Sequence, residues 1–299
     1  MKPLIKPITP HLWFDKEAKE AVEFYTTLFP QSEVVSVKTI TDTPSGDCDI
    51  VAFKLWDYSL MSISAGPLFK FTPAVSISVQ CENEEQIDKI YHALREGGDD
   101  LMPLDVYPWS KKYAWVKDKY GLTWQLNLPN DQGVIKQRIN PALMYVGDVC
   151  GKAEEAINYY VSVFPNSKIN SIFRYEKGQE PDKEGTVAHA EFELGGKLIM
   201  ALDSAREHKF NFNEAVSLMI YCETQEEIDY YWEKLSAVPE SEQCGWLKDK
   251  YGLSWQVVPV AMDEMMSKGT PEQIERVTKA FLTMKKFDLA ALNQAYQGQ

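Results

Sequence analysis

An internal repeat constrains the fold of this chain more than any other feature. Residues 117–125 and 248–256 share the sequence Lys-Asp-Lys-Tyr-Gly-Leu-Xaa-Trp-Gln and differ only at Thr123 and Ser254. Further blocks match in the same order, among them Ala18–Tyr25 with Ala153–Tyr160 and Phe29-Pro30 with Phe164-Pro165. The period of about 131 residues is the size of a domain and not of a solenoid repeat. The turn-forming segment 130–133 divides the repeats, which predicts domains at residues 1–132 and 133–262 and a tail at 263–299.

Each repeat contains the same strand and helix pattern twice. Alternating apolar residues at the start predict a strand, and apolar residues at helical spacing from Ala18 to Phe29 predict a helix that ends at Pro30. Three strand-like segments follow, and the pattern then restarts at Ala74. Each repeat is therefore two β-α-β-β-β units, and the whole chain has four.

The tail carries signals for two helices. Thr270 and Pro271 are typical of a helix start, Ile274, Val277, Phe281 and Met284 form an apolar stripe, and Asp288 can cap a final helix. We expect this stripe to pack against the chain itself or against a second subunit, so a homodimer is possible.

Composition excludes several classes of partner. The net charge is −13, which opposes binding to nucleic acid and to anionic membrane surfaces. There is no apolar run of membrane-spanning length, and Met1–Pro7 does not have the pattern of a signal peptide. The five cysteines are widely spaced, which favours reduced thiols in a cytoplasmic protein.

Two consecutive β-α-β-β-β units resemble the vicinal-oxygen-chelate superfamily, which includes glyoxalase I, extradiol dioxygenases and fosfomycin and bleomycin resistance proteins. The segments His11–Asp15, Ala18–Tyr25, Gly245–Gln256 and Arg276–Tyr296 resemble its PhnB-like branch, often labelled 3-demethylubiquinone-9 3-methyltransferase-like. The resemblance implies an α+β fold of two tandem glyoxalase-like domains, each with two units in a cup-shaped mixed sheet. The methyltransferase label lacks support in the sequence, because Gly97-Gly98 and Gly195-Gly196 do not form a nucleotide-binding GxGxxG motif.

The metal-dependent relatives carry four ligands, one from the first and one from the last strand of each unit. Strand parity directs Thr9, His11 and Trp13 into one cup, together with Thr123, Gln125 and Asn127. Repeat two offers Gln256, with His189 and Asp203 as further polar candidates. We count no complete set of charged or imidazole donors, so no cofactor is expected, and a divalent metal remains the alternative.

Aromatic residues are the stronger indication of a site. The predicted ligand pocket comprises His11, Trp13, Trp109, Trp115, Gln125, His189, Asp203, Trp246 and Gln256. We expect the cup of repeat one to be the better formed, lined by His11, Trp13, Trp115 and Gln125, with His11 as a weak catalytic candidate. Alternatively, these indoles fill the core.

The Lys-Asp-Lys segments before each Tyr-Gly turn are predicted to be exposed hairpin tips.

Three functions remain open. In the first case, the chain binds a small organic ligand in an aromatic-lined cup without a metal. Alternatively, it is a metal-dependent lyase or dioxygenase with an atypical ligand set. In the third case, the second repeat serves only as a structural or dimerisation module. Whether the protein is an enzyme is uncertain from sequence alone.

Overall fold

The computed structural model describes residues 8–43, 45–131, 133 and 135–299. Segment 1–7, predicted not to be a signal peptide, and Gln132, the predicted end of the first domain, lie outside the described residues. The strands are β1 Thr9–Phe14, β2 Glu33–Thr43, β3 Gly46–Leu55, β4 Tyr58–Ser64, β5 Val75–Gln80, β6 Asp99–Tyr107, β7 Ser110–Lys117, β8 Thr123–Pro129, β9 Ile139–Tyr145, β10 Lys168–Arg174, β11 Val187–Leu194, β12 Lys197–Asp203, β13 Val216–Cys222, β14 Trp246–Lys248 and β15 Ser254–Pro259. The helices are α1 Ala18–Leu28, α2 Glu84–Arg95, α3 Ala153–Val163, α4 Gln225–Leu235, α5 Val260–Lys268, α6 Pro271–Leu282 and α7 Leu289–Gln297.

The strands form two mixed sheets, which confirms the α+β class. The seven-stranded sheet has the order β14-β15-β13-β1-β4-β3-β2, and the eight-stranded sheet has the order β10-β11-β12-β9-β5-β8-β7-β6. Helices α1 and α4 pack on the first sheet, and α2 and α3 pack on the second. Each sheet thus forms a cup from two units, called here the seven-stranded cup and the eight-stranded cup.

The pairing of units differs from the prediction that each repeat forms its own cup. The seven-stranded cup combines the first unit of repeat one with the last unit of repeat two, and the eight-stranded cup combines the two middle units. Strand β8 is separated from β9 in the sheet only by β5. The first strand of repeat two therefore lies two positions from the last strand of repeat one in the same sheet.

The two repeats meet through equivalent antiparallel strand pairs. His11 of β1 is opposite Ser217 of β13, and at the matching positions Ala142 of β9 is opposite Ser76 of β5. The same register holds along both pairs, so the repeats are related by an approximate two-fold symmetry. A single chain thereby has the geometry of a dimer of single repeats.

The fourth unit lacks one strand, and the tail packs at that edge. A short 3-10 helix, Pro239–Ser241, precedes β14. The amides of Cys244 and Gly245 donate to the carbonyls of Met284 and Lys285 at 2.8 and 2.7 Å. Gly245 has φ +83°, and a Cβ there would lie 2.4 Å from Phe287, so this docking requires glycine.

The predicted tail helices are confirmed with their caps. The Thr270 side chain accepts from the Gln273 amide in a capping box, and Asp288 accepts from the Ala291 amide. Within the stripe, Val277 and Phe281 are buried against the rest of the chain. The tail therefore packs on its own chain.

The last unit of each repeat contains a buried carboxylate that accepts several hydrogen bonds. Asp118 accepts hydrogen bonds from the Tyr25 hydroxyl at 2.7 Å, the Trp124 indole at 2.8 Å, and the amides of Tyr120 and Leu122 at 2.9 and 3.1 Å. Burial raises the pKa of Asp118, and these donors act in the opposite direction. The prediction of an exposed tip is therefore wrong for this residue, although the neighbouring Lys119 is exposed.

The same network recurs in repeat two. Asp249 accepts from Tyr160, Trp255, and the amides of Tyr251 and Leu253 at 2.6 to 3.1 Å. Each carboxylate joins the helix that opens a repeat to the strand that closes it, and so connects the two sheets. The requirement for these donors explains why the nine-residue block recurs almost unchanged.

All five cysteines are free, and Cys81 and Cys222 are buried.

Among the residues that the structure describes, no helix combines the length and apolar character that crossing a bilayer requires.

We expect Asp118→Asn to lower the free energy of unfolding by roughly 2 kcal/mol, because the amide nitrogen presents hydrogens to the Trp124 and Tyr25 donors. Urea unfolding followed by circular dichroism measures this loss. The control is Lys119→Gln, since the pair of Lys119 with Glu20 is exposed and screened by solvent, so its loss should leave the unfolding midpoint nearly unchanged. Equal losses in the two variants would contradict the assigned role.

Repeat one alone, residues 1–131, is expected not to form a folded monomer. Removal of repeat two exposes the pairing edges of both β1 and β5, and self-association is the way to cover them. Sedimentation velocity should show dimers or aggregates. A monomer with native-like hydrogen-exchange protection in β1 would contradict the crosswise assembly.

Candidate functional site

The seven-stranded cup encloses a cavity of about 1160 Å³. Its floor is formed by β1, β4, β13 and β15, and β2 and β3 form one wall. The tail forms another wall through Met262, Met266, Ile274, Phe281 and Phe287. Cavities of roughly 300–1,000 Å³ with mainly apolar linings and few polar groups are typical of small-molecule sites.

His11 is the imidazole on the cavity floor. His11 is 4% exposed, and its Nδ1 atom is buried without a hydrogen-bond partner. The ring contacts the Trp246 ring edge-on, with centroids 5.4 Å apart. Burial lowers the pKa of His11 from 6.5 to about 3, so the imidazole is neutral at physiological pH.

Further aromatic rings line the cavity beside His11. Trp13 contacts Trp246 at 5.9 Å and Phe69 at 5.1 Å between ring centroids, both edge-on. Its indole nitrogen donates to the Gly66 carbonyl at 2.8 Å, which fixes the orientation of the ring. The parity prediction that Thr9, His11 and Trp13 face the cup agrees with this arrangement, and the alternate residues Leu12 and Phe14 lie in the core.

Gln256 supplies an amide beside the imidazole. Its nitrogen donates to the Ser217 hydroxyl at 2.8 Å, and Ser217 is directly opposite His11 in the sheet. Gln256 is 6% exposed and its amide is held in place by this bond. The floor therefore presents one imidazole and one oriented amide within an apolar cavity.

The eight-stranded cup differs because its polar side chains bond to one another. Ser76 shares a 2.8 Å hydrogen bond with Thr123 and accepts from the Trp115 indole at 3.2 Å. The Tyr113 hydroxyl donates to Gln125 at 3.1 Å. At the position equivalent to His11, this cup has Ala142. Its polar groups are thus already satisfied within the protein.

The predicted pocket residues are divided between several places. His11, Trp13, Trp246 and Gln256 share the cavity, although they come from different repeats. The expectation that Trp115 and Gln125 share a cup with His11 is wrong, because β7 and β8 belong to the other sheet.

The remaining three predicted pocket residues lie away from the cavity. Trp109 is 58% exposed and stacks on Tyr107. His189 is a half-buried residue on β11, beside Glu191. Asp203 is buried and accepts from the amides of Gly151, Ala153 and Val187, so it fixes the start of α3.

The donor set on the cup floor does not fit a divalent metal. On the first and last strands of its two units, next to one another in the sheet, the seven-stranded cup has His11, Met61, Ser217 and Gln256. One imidazole beside a thioether, a hydroxyl and an amide lacks the carboxylate or further imidazole that offsets loss of hydration. Across residues 8–43, 45–131, 133 and 135–299, no three His, Cys, Asp or Glu side chains cluster in a way that could hold a metal ion.

The model of one protein family, described as 3-demethylubiquinone-9 3-methyltransferase, matches this chain twice, at residues 6–127 and 137–258. The chain belongs to the 3-demethylubiquinone-9 3-methyltransferase family. The structure of a putative 3-demethylubiquinone-9 3-methyltransferase, PhnB protein, from Bacillus cereus is 43% identical, with a TM-score of 0.39, and the match covers 41% of this chain and 99% of that one. Glyoxalase I from Zea mays is 10% identical with a TM-score of 0.55, over 84% of this chain and 93% of the other, which shows the fold alone. No curated protein matches.

The family match confirms the predicted resemblance in both repeats, and the likeness to glyoxalase I shows a shared fold. In this member of the 3-demethylubiquinone-9 3-methyltransferase family, Gly97 follows the end of α2, and Gly195-Gly196 form the turn between β11 and β12. Both pairs therefore have structural roles at a helix end and at a turn.

Sequence reasoning missed the tail as a cavity wall. The tail stripe was recognised, but a stripe does not specify the surface that it covers. A signal was present at Gly245, where a glycine lies one residue before a pocket tryptophan in a strand-rich segment. Such a glycine is typical of a close backbone approach, which here admits Phe287.

We expect His11 to weaken the fold as the pH falls. The unfolded chain binds a proton near pH 6.5 and the folded chain only near 3, so stability is present above 6.5 and decreases as the pH falls towards 3. The contribution is up to about 1.4 kcal/mol per pH unit. In His11→Gln this part of the slope should vanish, as measured by urea unfolding between pH 7 and 4.

The control for this measurement is Gln125→Leu, which changes a side chain in the other cup and removes no titratable group. That variant should keep the wild-type slope. If His11→Gln and wild type lose stability in parallel, His11 is not held neutral by burial.

Proposed function

We propose that this protein binds a small organic ligand in the seven-stranded cup, and that binding requires no metal. The contrast between the two cups carries the proposal. The seven-stranded cup has a mainly apolar cavity of about 1160 Å³ whose floor presents an imidazole. The eight-stranded cup has polar groups that bond to each other and a smaller cavity of about 730 Å³. A mainly apolar cavity with a few polar groups is typical of a small-molecule site.

The aromatic lining supports an organic ligand. Trp13, Trp246 and Phe69 present ring surfaces around the cavity, and rings of this kind favour flat or apolar molecules. Trp13 is fixed by its bond to Gly66, so part of the surface is organised before binding.

Both repeats contribute to the proposed site. His11 and Trp13 come from repeat one, and Trp246 and Gln256 come from repeat two. This argues against repeat two as a purely structural module. The two cups differ, since the seven-stranded cup has a cavity of about 1160 Å³ and the eight-stranded cup has one of about 730 Å³.

The ligand-binding proposal is tested with Nile red, an uncharged dye whose fluorescence rises in apolar sites. Trp246→Ala should weaken its binding at least about tenfold, since a buried aromatic anchor contributes about 2 kcal/mol or more. Trp115→Ala, at the equivalent position of the other cup, is the matched control and should change binding by less than about threefold. Equal effects would place the dye elsewhere.

Metal content is tested separately. Protein purified without an affinity tag should contain well under one zinc, nickel, iron or manganese per chain by elemental analysis, because the floor lacks a sufficient donor set. Stoichiometric metal that disappears in His11→Ala would overturn the metal-free proposal and favour a metal-dependent lyase or dioxygenase.

A further inference from the structure

We propose that two copies of this chain pair along β2, so that their seven-stranded sheets join across a two-fold axis. This inference concerns an interaction surface and goes beyond ligand binding. It follows from the free edge of the sheet, from the exposed valines on that edge and from a charge pattern that complements itself.

The two sheets have four edge strands, and three of them carry features that oppose pairing with another chain. The tail is hydrogen-bonded beside β14, β6 contains Pro103 and three aspartates, and β10 has Lys168 and Arg174 at its ends. Covering segments, prolines and charged side chains are the usual means by which edge strands avoid association. Strand β2 differs, because it is eleven residues long and has no proline.

Exposed apolar side chains follow the edge of β2. Val34, Val35 and Val37 are 39, 54 and 43% exposed. Among the strands that the structure describes, β2 has β3 as its only neighbour in the sheet. An edge strand directs backbone N–H and C=O groups away from its sheet, so a further strand can pair there. The edge therefore offers both backbone hydrogen bonds and apolar contacts.

The pairing of β2 with β3 gives each residue of β2 a position along this edge. Five successive positions, opposite Lys54 to Ile50, are occupied by Glu33, Val34, Ser36, Val37 and Lys38. Val35 lies at a bulge and is an extra residue between two of these positions. The five positions are thus symmetric about Ser36, with a valine on each side and opposite charges at the two ends.

This symmetry identifies the partner as a second copy of the chain. In an antiparallel pair centred on Ser36, Val34 of each copy lies opposite Val37 of the other. Glu33 of each copy then lies opposite Lys38 of the other. Glu33 also bonds to Lys54 at 3.0 Å, and a carboxylate can accept from both lysines. Cross-strand pairs of valines and of opposite charges stabilise an antiparallel pair.

The net charge of −13 does not prevent this contact. Repulsion between exposed charges is screened beyond about 8 Å at physiological salt, whereas the paired side chains touch. Val35, Ser36 and Lys38 also line the cavity of the seven-stranded cup. The proposed interface and the cavity therefore share one strand.

Disulfide formation tests the register. In Ser36→Cys the two thiols lie opposite each other, within the Cα separation of about 7 Å that a disulfide allows, so mild oxidation should give a covalent dimer on a non-reducing gel. Thr39→Cys, on the same strand, is the matched control. Its two thiols lie six positions apart, or about 20 Å, so this variant should stay monomeric. The wild-type chain, whose five cysteines lie outside β2, should also stay monomeric on that gel.

Sedimentation velocity over a concentration series tests the association itself. The wild-type chain should form a reversible dimer with a dissociation constant in the micromolar range, because a pair of five positions is a small interface. Val37→Lys should raise this constant at least about tenfold, since lysine on an edge opposes strand pairing. The control is Val106→Lys, at an exposed valine of edge strand β6, which should leave the constant unchanged.

Three results would overturn the proposal. The first is a wild-type chain that remains monomeric at every concentration. The second is a dimer that Val106→Lys dissociates and Val37→Lys does not, which would place the interface on β6. The third is equal crosslinking of Ser36→Cys and Thr39→Cys, because random collisions of thiols would then explain both.

Discussion

The antiparallel pairing of β1 with β13, and of β5 with β9, is the interaction on which the rest of this structure depends. Each pair joins a strand of one repeat to a strand of the other, and the registers of the two pairs are equivalent. Without these contacts neither sheet has both halves of its cup. The buried carboxylates Asp118 and Asp249 then connect each sheet to the other through a helix and a closing strand. Backbone pairing and these two polar networks thus act together.

Most of the fold could be predicted from the sequence because its signals are local. Strand parity placed His11 and Trp13 on one face and Leu12 on the other, and the capping roles of Thr270 and Asp288 followed from their position before apolar stripes. The assignment of units to cups could not be predicted in this way. A strand edge has the same pattern whether it pairs within a repeat or between repeats, and only the short linker distinguishes the two.

The site was predicted in part for the same reason. His11, Trp13, Trp246 and Gln256 were identified by residue type and parity, but Trp115 and Gln125 were grouped with them because each repeat was treated as one cup. Asp118 was misjudged because charged neighbours suggested an exposed turn, whereas three donors from the next six residues and the distant Tyr25 hydroxyl surround it. The long-range bond from Tyr25 leaves no local pattern other than the repetition itself.

The crosswise arrangement also fixes the order in which the two cups can be completed during synthesis. The eight-stranded sheet is formed by one continuous stretch, Val75–Asp203, whereas the seven-stranded sheet joins the two ends of the sequence, Thr9–Ser64 and Val216–Pro259. A growing chain therefore holds every strand of the eight-stranded cup while β1 to β4 still lack their partners. The seven-stranded cup cannot close until β15 has been made, and its tail wall comes later still. The cavity is the last part of the molecule to acquire its walls, so a chain that stops early has no complete pocket.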